Sequence, residues 1–211
     1  MPCTVIVGAF WGDEGKGKII SYLALKDNLD FCVRTGSVNA AHTVWFEGKR
    51  YALHMVPAAF LNPKTRLLIA AGANVHVPTF FEEVELTQVR DRIAIDQNAS
   101  IIEQKHSDQD KASAVNKGIG TTGRGVGPAI EERVRRTAKL AKDIPELKPY
   151  LTDGVAEVND GLDAGKKVLL EGEVRDYFSF AFVSPEGAYD NRAGHSSHRS
   201  KVCQELFKTV G

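Results

Sequence analysis

Near the amino terminus the short apolar run Thr4 to Ala9 breaks into Gly8-Ala9-Phe10-Trp11-Gly12-Asp13-Glu14-Gly15-Lys16-Gly17-Lys18-Ile19, and this loop constrains the fold more than any other stretch of the chain. A β-branched run ended by glycine reads as a buried strand entering a loop. From Lys16 onward Ile19, Ile20, Leu23 and Ala24 recur at helical spacing, ending near Lys26-Asp27-Asn28. Strand, glycine loop and helix in that order open a nucleotide-binding α/β fold. Gly12, Gly17 and Lys18 supply the G-x-x-x-x-G-K spacing in the context that the motif requires. Glycines let backbone N–H groups turn toward phosphate oxygens, and the helix N-terminus adds partial positive charge. Ile19 stands where an ordinary P-loop has the hydroxyl that binds magnesium, so a metal needs another ligand, for which Asp13 is the near candidate. Acids beside lysines in such a loop serve no packing purpose. Carboxylates against phosphates make sense with a divalent metal or a proton to be taken.

Downstream the alternation continues. Apolar runs predict strands at Phe31 to Arg34, Tyr51 to Met55, Arg66 to Ala70, Ile93 to Asp96 and Lys167 to Leu170, with helices at Pro78 to Gln88 and about Ala129 to Ala141. The expected class is α/β, a P-loop-like nucleotide-binding fold around a central parallel or mixed sheet. Gln104 to Arg124 is polar and glycine-rich and reads as a long loop, of a length that is usually functional or disordered. The 27 basic and 27 acidic residues cancel, so no global field recruits nucleic acid or a membrane surface, and any anion must be held by local geometry. Cys3, Cys32 and Cys203 form no C-x-x-C pair, which signals neither a disulfide framework nor a zinc knuckle and fits a reducing cytoplasm. Without a basic leader or about 18 consecutive apolar residues, the chain is expected to be soluble and unexported.

Two further segments are rich in polar groups. Arg34-Thr35-Gly36-Ser37-Val38-Asn39-Ala40-Ala41-His42-Thr43-Val44 follows the second predicted strand and sets one histidine among small residues. Taken alone, such a histidine is more often structural than catalytic. Ile119-Gly120-Thr121-Thr122-Gly123-Arg124-Gly125-Val126-Gly127-Pro128-Ala129 precedes a helix that Pro128 is placed to start. Its N–H groups, hydroxyls and helix N-terminus make a second anion site, and two phosphate sites imply two nucleotides. The next residues, Glu131-Glu132-Arg133-Val134-Arg135-Arg136, read as a solvated helix face with charge pairs such as Glu132 to Arg136.

Trp11-Gly12-Asp13-Glu14-Gly15-Lys16-Gly17-Lys18 resembles the signature loop of the adenylosuccinate synthetases, and the two later segments are similar to that family's N-A-G-H-T and G-T-T-G-R-G-x-G-P-A runs. The resemblance implies a GTP-dependent ligase that joins IMP and L-aspartate, with Mg2+ as cofactor. It makes Asp13 the base that deprotonates IMP and His42 the acid partner in phosphoryl transfer. GTP would lie against Gly12, Asp13, Glu14, Gly15, Lys16, Gly17, Lys18, Ala41, His42 and Thr43. IMP would lie against Asp13, Glu14, Gly15, Lys16, Asn39, Ala40, Ala41, His42 and Thr122. Asp13 and the carbonyl of Ala41 would meet the metal, and Arg136 would cross to the IMP of a second subunit in a homodimer.

The family has glycine where this chain has Ala41, and alanine restricts φ there. The similarity runs from about Val5 to Gly172, which divides the chain into a GTP- and IMP-binding region, 1–172, and an unmatched tail, 173–211. In the tail the H-x-x-H-x-x-x-x-C spacing of His195, His198 and Cys203 fits no standard zinc pattern. Relative to the family the chain reads as truncated, without the segments that recognise guanine and aspartate. That leaves two rival expectations: a remnant that only binds nucleotide or IMP, and an unrelated P-loop NTPase.

Overall fold

The computed structural model describes residues 3–8, 14–113, 118 and 120–174. In chain order the elements are β1 (Cys3–Gly8), α1 (Lys16–Lys26), β2 (Phe31–Arg34), β3 (His42–Phe46), β4 (Lys49–Leu53), β5 (Arg66–Ile69), β6 (Asn74–Val75), α2 (Val77–Thr87), β7 (Ile93–Asp96), β8 (Ser100–Ile101), α3 (Gln104–Ala112), α4 (Val126–Val134), β9 (Leu151–Thr152), α5 (Gly154–Asp163) and β10 (Val168–Val174). Gly12 and Asp13, with the rest of residues 9–13, lie outside the described residues, as does the chain from Arg175 onward with His195, His198 and Cys203.

Six strands make one parallel sheet in the order β1-β10-β2-β5-β7-β9, which settles the expected parallel or mixed sheet as parallel. Strand alternation sorts the side chains to two faces. Cys32, Leu67, Ile69, Ile93, Ile95 and Leu169 face the larger core, with Ile20 and Ala24 of α1 and Phe80 and Val84 of α2. Their neighbours Phe31, Val33, Leu68, Ala94, Val168 and Leu170 face a smaller core with Val158 and Leu162 of α5. Strands buried on both faces read as nearly continuous apolar runs, which is why the sequence announces them.

Several boundaries differ from expectation. Tyr51 to Met55 contributes to a hairpin rather than to the central sheet: β4 pairs antiparallel with β3, His42 lying opposite Leu53. The second-loop helix starts at Val126, leaving Pro128 as its third residue, and ends at Val134 rather than Ala141. The supposed long loop contains a helix, α3, whose buried residues are the polar His106 and Asp110. Apolar periodicity cannot find a helix that buries a polar face.

Candidate active site

The first loop is described from Glu14. Gly15 takes φ +80° as N-cap of α1, a left-handed conformation that glycine adopts without penalty. Lys16 is buried, and its Nζ donates to Glu14 Oε2 at 2.6 Å. The pair folds over the end of β1, where a Cβ on Gly8 would come within 2.5 Å of the Glu14 carboxylate. At the second residue of α1, a Cβ on Gly17 would stand 3.0 Å from the Cβ of His42. The end of the glycine loop therefore packs against the start of the histidine segment's strand.

His42 begins β3 and is buried, and beneath it sits a buried ionic group that the sequence reading did not single out. Glu171 on β10 lies in register with Arg34 on β2 and is completely buried. Arg34 Nη1 donates to Glu171 Oε1 at 2.5 Å, His42 Nδ1 contacts the same oxygen, and the Ala58 N–H donates to Oε2 at 2.8 Å. Burial alone would push the Glu171 carboxyl up, but Arg34, His42 and the Ala58 N–H outweigh it and hold the group below the usual carboxylate range. Against the same oxygens the Cys32 thiol is pushed well up by burial and then by the Glu171 charge, so it is not a nucleophile. The available signal was one acid in the apolar run Val168-Leu169-Leu170-Glu171: a carboxylate in a doubly buried strand needs a cation.

The second loop reaches the same place from the other side. Thr122 Oγ1 donates to Asn39 Oδ1 at 2.6 Å, joining two of the expected IMP residues across 83 positions of sequence. Arg124 donates to the Val38 carbonyl at 2.5 Å and lies 3.1 Å from His54 Nδ1. Burial first, then the Arg124 charge, lowers the pKa of His54, so the neutral ring accepts this bond. The loop is shaped from α3: Asp110 accepts from Thr121 Oγ1 at 3.0 Å and from the Gly125 N–H at 3.0 Å. Gly125 has φ +80°, and a Cβ there would lie 2.5 Å from the Ser107 nitrogen, so only glycine fits. Beside the loop opens a cleft of about 440 Å³ lined by Val38, His54, His76, Glu83, Lys111 and Arg124.

Of the remaining expected residues, Asn39 and Ala41 are exposed, Ala40 and Thr43 are half-buried and Lys18 is exposed. Ala41 is not among the residues of positive φ, so alanine holds its backbone carbonyl without strain in the place where the family has glycine. That part of the expected metal set fits Mg2+, a cation that accepts carbonyl and carboxylate oxygens. Arg136 is exposed, two residues beyond the last residue of α4, with φ +62°. Glu132 directs its carboxylate to Lys105 Nζ at 2.9 Å and His106 Nε2 at 3.0 Å, fastening α4 to α3.

Comparison with known proteins agrees with this geometry. The sequence profile of the adenylosuccinate synthetase family matches residues 5–145. The adenylosuccinate synthetase of Pyrococcus sp. (strain ST700) is 50% identical over 177 residues, covering 82% of this chain and 52% of that protein. That of Methanococcus aeolicus is 42% identical over 207 residues, covering 96% of this chain and 62% of that protein. The structure of fully ligated adenylosuccinate synthetase from Plasmodium falciparum superposes with a TM-score of 0.70 at 27% identity, covering 79% of this chain and 50% of that one. The chain thus spans about half the length of the curated relatives it matches. The family profile over residues 5–145 and the 50% identical relative, together with the parallel α/β sheet, show that the chain belongs to the adenylosuccinate synthetase family.

Proposed function

We propose that this chain carries the phosphate-handling half of a GTP-dependent ligase that joins IMP and L-aspartate to give adenylosuccinate, GDP and phosphate. The observation that carries the reading is the meeting of three segments, Gly17 against His42 and Asn39 against Thr122. Asp13 takes the proton from the purine ring, and the 6-oxygen then attacks the γ-phosphorus of GTP. His42 donates from Nε2, the ring nitrogen directed away from Glu171. Lys16 and Lys18 with the loop N–H groups meet the charge that spreads over the transferring phosphoryl group, where most catalysis of such transfers resides. Asp13 and the Ala41 carbonyl would hold Mg2+, which when bound neutralises part of that charge. The amine of aspartate displaces the phosphate from the purine in the second step.

Thr122 and Asn39 receive the IMP phosphate, and Arg136 reaches the IMP of a second copy. Ile130 and Val134, four residues apart on α4, are 45% and 74% exposed, an apolar strip leading to Arg136 that suits a homodimer contact. A steady-state assay with GTP, IMP and aspartate tests the reading, and Asp13→Asn or His42→Asn should each abolish turnover without unfolding the chain. Near wild-type turnover in either variant removes the assigned role.

A second reading is a chain that binds IMP and nucleotide phosphates without turnover. If the groups that read guanine are not in this chain, GTP and ATP should bind within about tenfold of each other, about 1.4 kcal/mol. Calorimetric titration with both nucleotides decides this, and a strong preference for GTP overturns it.

A further inference from the structure

His42 and Arg34 both converge on Glu171 Oε1, and the three side chains are 6%, 1% and 0% exposed; Arg34 Nη1 also lies 3.2 Å from His42 Nδ1, and its Nη2 donates to the Ala40 carbonyl at 3.4 Å. A carboxylate oxygen and an unprotonated ring nitrogen repel at contact distance, so one proton must lie between Glu171 and His42 Nδ1. Arg34, which donates to the same oxygen at 2.5 Å, keeps Glu171 ionised and assigns that proton to the ring. The Ala58 N–H on Oε2 fixes the carboxylate plane, and β10 and β2 hold Glu171 and Arg34 side by side in register.

We infer that Glu171 is the positioning residue of the site: it holds His42 in the Nδ1–H tautomer and aims Nε2 at the phosphates. The inference rests on the proposed reaction only for its effect on rate, because the tautomer is a property of the chain itself. With Nδ1–H donated to Glu171, Nε2 is the ring nitrogen left for substrate. The other tautomer would put a lone pair against the carboxylate and turn the ring out of line. Arg34 sets the charge of Glu171, which receives the ring N–H of His42.

The test uses the full chain labelled with 15N-histidine. Two-bond 1H–15N spectra should show His42 as the Nδ1–H tautomer with a low-field Nδ1 proton, its signals assigned by their loss in His42→Asn. Glu171→Gln should lose that proton signal and mix the tautomers, and Glu171→Asp should restore it in part. An Nε2–H tautomer in the wild-type chain, or an unchanged tautomer in Glu171→Gln, overturns the inference. The wild-type spectrum decides alone if the glutamine variant does not fold. In the ligase assay Glu171→Gln should lower kcat on the order of 100-fold with KM for GTP within about twofold, and Glu171→Asp should recover part of the loss. Equal loss in KM and none in kcat counts against positioning. A wild-type chain with the Nδ1–H tautomer but no turnover counts against the proposed reaction and for the tautomer.

Discussion

Arg136 has φ +62° and sits one residue beyond the cap of α4, where helices commonly place glycine. The Thr137 N–H donates to the Glu132 carbonyl at 2.9 Å and the Arg136 N–H to the Arg133 carbonyl at 3.0 Å, the bond pair of a Schellman ending. A left-handed arginine costs about 1–2 kcal/mol relative to glycine, and such strain persists where a side chain is needed. Arg136→Gly should therefore raise stability by about 1 kcal/mol in chemical denaturation while weakening IMP binding if the proposed homodimer forms; a loss of stability would show that the side chain matters more to the fold than its backbone strain. Glycines separate in the same way. Gly15 has φ +80° with open space around it, so Gly15→Ala should cost about 1 kcal/mol. Gly125→Ala adds overpacking against α3 and should cost roughly 2–5 kcal/mol, read from urea midpoints. Among the site residues, His42, Asn39 and Thr122 were legible because they stand in motifs. Glu171 was not, because its role depends on strand register, which places Arg34 beside it from the far end of the chain.

Buried acids fasten the elements to one another. Glu83 on α2 accepts the N–H groups of His54, Met55 and Val56 at 2.6, 2.8 and 2.8 Å, pinning the chain that leaves β4. Burial, only partly offset by these bonds, holds its carboxyl above the ordinary range. A carboxyl raised in the folded state contributes stability in full below its unfolded value of about 4.3 and loses it as pH rises through the folded value. Glu83→Gln should remove that decline and, with one carbonyl oxygen left for three donors, cost about 1–3 kcal/mol near pH 7. Denaturant midpoints across pH 4 to 8 check both; a decline with rising pH as steep as in the wild type would show that other groups carry it. The element scale also shows where sequence reading stops. β2 and β7 have the bounds that their apolar runs predict, because both faces are covered. α5 escaped notice because Gly-Val-Ala-Glu-Val-Asn-Asp-Gly-Leu-Asp has weak helix formers, yet a Cβ on Gly161 would lie 2.7 Å from the Phe31 ring, so the glycine is there for packing.

At the scale of the molecule, the buried Arg34–Glu171–His42 group ties two strands and the hairpin to one charge balance. Glu171, held below its ordinary value, contributes stability that is present above about pH 4.3 and is lost as pH falls through the folded value, the reverse of Glu83. Glu171→Gln should flatten the acid side of the stability profile and cost about 3–5 kcal/mol at neutral pH, because the buried Arg34 loses the carboxylate opposite its Nη1. A cost below 1 kcal/mol would mean that the pair is incidental. The place of Glu171 has another consequence, in the order of synthesis. Among the described residues β1 pairs with β10 alone, Cys3 against Val168, so the first of the described strands is completed by the last of them. At about 5–20 residues per second, β1 waits roughly 10 to 30 s on the ribosome for its neighbour. Through that interval the sheet stands open between β1 and β2, and two nascent chains on adjacent ribosomes can lend each other the missing strand.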